Sequence, residues 1–129
     1  MSTNGDIIRN ALDTLGVTGE GQPMSPEQGA HGLRMLNALM SSWEADGLIQ
    51  HVPAASLAEE FAFSPDYDLG TAMSLAILLA PHYGKAVPAE VGMISASEYR
   101  RMLREAVKLQ LKPVTVDRQY GEGNWIPST

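Results

Sequence analysis

From Ile7 the apolar residues Ile7, Ile8, Ala11, Leu12 and Leu15 recur at intervals of three and four, which predicts an amphipathic helix. It is expected to begin near Thr3 or Asn4, where Thr3 and Asp6 have the spacing of a capping box. Gly16 is its expected stop, with Val17 folding back onto it. Residues 18–24 read as a connector. A second helix starts at Ser25, followed by Pro26 and by Gln28 at capping-box spacing. Its stripe is Leu33, Leu36, Met40 and Trp43, broadened by Met35 and Leu39, and Gly47 followed by Leu48 supplies the stop. Gly29 and Gly32 weaken its first turns, unless they admit the close approach of a neighbouring backbone.

The period then changes. Leu48 to Val52 is β-compatible, Pro53 to Ser56 can turn, and Leu57, Glu59, Phe61 and Phe63 alternate with smaller residues. This predicts a short β-hairpin within 48–63, which must lie on the helices or pair with another copy. After Ser64-Pro65 a third helix runs from about Asp66 to Tyr83. It is apolar nearly all round, hence central, with a kink at Pro81 and an end at Gly84. A fourth helix starts at Pro88. Val91, Met102, Ala106 and Leu109 define its inner face, helped by Ile94, Tyr99 and Leu103. Opposite them Arg100, Arg104, Lys108 and Lys112 form a basic stripe at four-residue spacing. The last stretch, Pro113 to Thr129, has no helical period but carries Val114, Val116, Tyr120, Trp125 and Ile126.

These patterns predict a mainly α protein: a four-helix bundle-like domain over 1–112 with one short β-hairpin, followed by an extended C-terminal tail over 113–129. The expected core is Ile8, Leu12, Leu15, Leu36, Met40, Trp43, Leu75, Leu79, Met102 and Ala106.

Composition narrows the function. The 129 residues suit one domain. The absence of cysteine removes disulfides, thiolate catalysis and cysteine-based zinc sites. A net charge of −6 argues against a general phosphate-backbone binder. The charge is segregated: residues 1–97 hold three basic and eleven acidic side chains, whereas 98–129 hold six and four. That division fits head-to-tail packing of copies or an acidic partner, as well as a plain solvated face. Met1 to Asp6 has no secretory character, and the longest apolar run, Leu75 to Pro81, is too short to cross a bilayer. The expectation is no membrane association.

The chemistry-bearing residues form no enzyme motif. Gly16, Gly19 and Gly21 lack the lysine and preceding strand of a phosphate loop. His31, His51 and His82 lack metal-ligand spacing. Glu59 and Glu60 would point to opposite sides of a strand, and Glu44 with Asp46 or Asp66 with Asp68 read as solvated carboxylates. No catalytic residue, metal or cofactor is assigned, and no enzymatic activity is expected. The partner-binding candidates are Arg100, Arg104 and Lys108 on the fourth helix and Tyr120, Trp125 and Ile126 in the tail. The stripe reads as a solvated face, a contact for an acidic protein surface, or a nucleic-acid contact without aromatic interleaving. The tail reads as packing on its own domain or as an aromatic anchor for a partner.

Four segments, taken in order, carry a resemblance. Ile7-Ile8-Arg9-Asn10-Ala11-Leu12 ends in Leu15-Gly16-Val17; then come Leu36-Asn37-Ala38-Leu39-Met40 with Trp43, the run Ala76 to Gly84, and Ala96 with Tyr99. In order and spacing they resemble the podovirus-type head-to-tail adaptor family, the family of the phage tail accessory factors, over roughly residues 6 to 108. The resemblance implies a structural virion protein without catalytic chemistry. Such adaptors form a ring, usually of twelve copies, beneath the portal protein. They extend the DNA channel, help retain packaged DNA and offer a platform for a downstream tail or stopper protein. It implies a helical bundle with an extended C-terminal segment reaching the portal. Assembly would take place in the host bacterial cytoplasm, and DNA would pass through without sequence-specific binding. An acidic channel wall would repel DNA phosphates and let the DNA slide. The alternative is a small helical regulatory or DNA-associated protein that uses the basic face of the fourth helix.

Overall fold

The computed structural model describes residues 2–18, 22–50 and 53–111, with side chains as far as Lys108. Four helices follow in order: α1 (Asn4–Leu15), α2 (Pro26–Ala45), α3 (Asp68–Leu79) and α4 (Ala89–Leu111). A single 3-10 turn, Pro65–Tyr67, leads into α3. The protein is mainly helical, as expected. The tail, 113–129, lies outside the described residues.

Local chemistry sets the helix ends. The Thr3 hydroxyl accepts from the Asp6 N–H at 3.1 Å, and the Asp6 carboxylate accepts from the Thr3 N–H at 3.0 Å. Ser25 and Gln28 make the same reciprocal pair at 3.2 and 2.9 Å. Each box satisfies donors that a helix start leaves orphaned. At the other ends, Val17 N–H donates to the Leu12 carbonyl at 3.0 Å and Leu48 N–H to the Trp43 carbonyl at 2.9 Å. Those six-residue closures need a left-handed residue between, which Gly16 (φ 75°) and Gly47 (φ 78°) provide.

α3 stands at the centre, packed on α1 at one side and on α4 at the other, with α2 against both α1 and α3. All ten expected core residues are buried, and Ile8, Leu12, Leu75, Leu79 and Met102 are fully so. Each such leucine withdrawn from water contributes about 1.5–3 kcal/mol. Gly32 lets the Ile8 side chain press onto the α2 backbone, since a Cβ there would stand 2.4 Å from Ile8 Cγ2; Gly29 admits Leu57 in the same way. The visitor at these glycines is a side chain and not the neighbouring backbone expected of them. Gly70 does the same for α4, where a Cβ would meet Glu98 Cβ at 2.9 Å.

Three expectations are corrected. The described part of 48–63 forms no hairpin; His51 and Val52 lie outside the described residues. Its backbone pairs with the start of α1. Asn4 N–H donates to the Glu59 carbonyl, Gly5 N–H to the Leu57 carbonyl and Phe61 N–H to the Ser2 carbonyl, each at 2.9 Å. Among the described residues one antiparallel bridge forms, between Thr3 and Glu60. The helix start has free donors to offer, and a bent segment with free carbonyls answers them. Second, Pro81 does not kink a long helix. α3 stops at Leu79, because the proline cannot donate to the Ile77 carbonyl. A turn closed by Lys85 N–H on the Ala80 carbonyl at 3.0 Å follows, with Gly84 at φ 67°. Third, Ile94 and Leu103 do not help the inner face of α4. Both are exposed, while Val91, Met102 and Ala106 are buried.

Candidate interaction surface

α4 packs along α3. Met102 fills the core beside Gly70, and Ser74 and Ser95 hydroxyls meet at 2.8 Å across the two helices. Tyr99 packs against Trp43 with ring centroids 6.4 Å apart and donates its hydroxyl to Asp46 at 2.8 Å. That hydrogen bond, with some burial, raises the Tyr99 phenol above its ordinary pKa. Arg101 pairs with Glu98 at 2.7 Å and also donates to the Asp66 carbonyl, tying α4 to the 3-10 turn. The Glu98 hydrogen bond holds the Arg101 guanidinium above its ordinary pKa.

With the inner side so fixed, the predicted basic residues fall on the outer side. Arg100, Arg104 and Lys108 are all exposed. Lys108 pairs with Glu105 at 3.3 Å in an exposed, solvent-screened contact. Among the described residues Arg100 and Arg104 have no ion-pair partner. Beside this cationic row runs an apolar one that periodicity alone had not separated from the core. Leu103 is 38% exposed and Val107 43%, while Met93, 70% exposed, stands seven residues before Arg100 on the cationic side. The four-residue step from Leu103 to Val107 sets them side by side, as it does Arg100 and Arg104. Tyr120, Trp125, Ile126 and Lys112 lie outside the described residues.

A second surface feature lies between α1 and α3. An open groove of about 430 Å³ is lined by Asn10, Asp13, Thr14, Asp68, Leu69, Ala72 and Met73. Leu69 is 49% exposed there. Asp13 accepts from the Thr18 hydroxyl and Asp68 from the Ser2 hydroxyl at 2.8 Å. Hydroxyl donors orient these carboxylates without cancelling their charge. Arg9, the one base on α1, reaches away to the Gln22 carbonyl at 3.4 Å.

The histidines are less scattered than their spacing implied. His31 on α2 and His82 after α3 stack with centroids 3.9 Å apart, and Tyr83 meets both edge-on. Arg34 faces His31 Nδ1 at 3.4 Å, so that nitrogen accepts and the proton sits on Nε2. Burial first, then His82 and Arg34, lower the His31 pKa. Among the described residues no group of three or more histidine or carboxylate side chains is arranged to hold a metal ion. The cavity beside Asn4, Leu36, Phe61 and Glu59 is about 80 Å³, well below the size of a metabolite site. No helix among the described residues is long and apolar enough to cross a membrane.

No protein-family model matches the chain, and no curated protein matches it significantly.

Proposed function

We propose that the protein is a structural head-to-tail adaptor of a tailed bacteriophage, built into a ring beneath the portal protein, where it extends the DNA channel and seats the tail. The observation that carries this reading is the ordered set of four family-like segments. Their places in the fold support it. Ile7, Ile8, Leu12 and Leu15 are the buried face of α1, and Leu36, Met40 and Trp43 that of α2. Asn37, beside them, grips the connecting segment: its side chain donates to the Ala54 carbonyl at 3.1 Å and accepts from the Ala54 N–H at 2.8 Å. The Ala76-to-Gly84 run is the end of the central helix and its turn.

In this role the acidic body keeps DNA phosphates at a distance, and the tail residues Tyr120, Trp125 and Ile126 dock on the portal. The test uses portal-bearing particles that lack the adaptor. The full chain is expected to join them, and a chain lacking 119–129 is expected to melt as before but not attach. Failure of the full chain to join overturns the reading, and unfolding of the truncated chain overturns the role of the tail.

The unpaired Arg100 and Arg104 favour one other reading, a DNA-associated helical protein. A salt-dependent DNA shift that disappears when Arg100, Arg104 and Lys108 are neutralised would support that reading against the adaptor.

A further inference from the structure

The outer face of α4 and the α1–α3 groove are opposite in charge, alike in carrying exposed apolar side chains, and in different places on one molecule. α3 separates them, since it packs on α1 at the groove and on α4 elsewhere. We infer that α4 of one copy docks in the α1–α3 groove of the next, placing Leu103 and Val107 on the exposed Leu69 and the Arg100–Arg104 row against Asp13 and Asp68.

The argument rests on what each surface lacks. In the groove two carboxylates are held by hydroxyls alone, with no cation within ion-pair distance among the described residues. On α4 two guanidinium groups stand four residues apart with no carboxylate partner among the described residues, beside the exposed Leu103 and Val107. A pair of like charges beside a short apolar strip needs an acidic, partly apolar concavity, and the groove is one. The match extends to the whole chain, because the acidic excess lies in residues 1–97 and the basic excess in 98–129. Two unlike surfaces apart on one chain can make a heterologous contact, which repeats head to tail and closes into a ring when the rotation per copy divides a full turn.

The inference names the contact that the proposed ring would use, and so rests on that reading for its purpose, though not for its existence. Sedimentation velocity over a concentration series, at low and at high salt, tests it with the full chain. One variant reverses the groove (Asp13→Lys with Asp68→Lys) and another reverses the helix (Arg100→Glu with Arg104→Glu). Each alone is expected to lose self-association by at least about tenfold at low salt, with high salt weakening the wild type. Mixing the two variants, or combining all four changes in one chain, should restore association, because opposite charges again meet at every junction. Asp13→Lys alone replaces the groove variant if reversal at the start of α3 lowers the melting temperature. A wild-type chain that stays monomeric at every concentration, or variants whose mixture does not recover, overturns the contact. Restoration in solution by a chain that never joins portal-bearing particles would keep the contact and remove the adaptor reading.

Discussion

Helix α1 buries every large apolar side chain it has, Ile7, Ile8, Leu12 and Leu15, and of its polar residues buries only Asn4. Helix α4 buries Val91, Met102 and Ala106 and leaves Met93, Ile94, Leu103 and Val107 exposed. Both are amphipathic helices leaning on α3, but only α1 has its apolar positions confined to one stripe. α1 is held from two further sides, by α2 through Gly32 and by the 57–61 segment at its start. α4 packs mainly on α3, with Tyr99 tying it to Asp46 beyond α2 and Arg101 tying it to the 3-10 turn. The difference separates residues that make the fold from residues that remain for something else. In α1 the fold accounts for the whole apolar pattern, whereas in α4 it accounts for half.

Truncations on the two kinds of surface should therefore differ sharply, as measured by denaturant unfolding. The largest effect is expected at the α2 core: Leu36→Ala, at a nearly fully buried site, should cost about 2–5 kcal/mol. Next comes Asn37→Ala, which strips both partners from the Ala54 backbone and should cost about 1–3 kcal/mol. A smaller loss there would mean that water replaces the side chain and that the 53–61 segment is held from the α1 end alone. The smallest effect belongs to Leu103→Ala, expected to stay within about 0.5 kcal/mol while it weakens self-association. A cost for Leu103 comparable to that for Leu36 would erase the distinction between the two faces of α4.

What the sequence discloses about this protein is mostly what lies close together along the chain. Thr3 with Asp6, Ser25 with Gln28, and Gly16 and Gly47 with the apolar residues after them act over three to six residues, and each behaves as its chemistry demands. The expected core was equally legible, because α1, α2 and α3 bury their periodic leucines. The hairpin failed for a reason of range. The alternation of Leu57, Glu59 and Phe61 suggests a strand, but the segment bends at Leu57 to Glu59 and pairs with Ser2 to Gly5, and no local pattern names a partner so distant. The candidate surface was half legible. The spacing of Arg100, Arg104 and Lys108 gives the cationic row, while Leu103 reads as part of the inner face because an apolar residue beside a buried stripe looks the same whether or not a neighbour covers it. The groove, built from two helices distant in sequence, and the stacking of His31 on His82 had no signal of their own.

The pairing of residues 2–5 with 57–61 also orders events in time. Helical turns of α1 and α2 form from neighbours within microseconds, but the first turn of α1 finds its last acceptors only when a loop of some fifty residues closes. On a ribosome adding about 5–20 residues per second, the Leu57 and Glu59 carbonyls emerge roughly 3–11 s after Gly5. During that interval α1 exists with an unfinished start and an uncovered apolar stripe, and α2 is made before α1 is complete. Residues 2–5 are thus sealed by a segment some fifty residues later, so that α1 is locked only after α2 has been made.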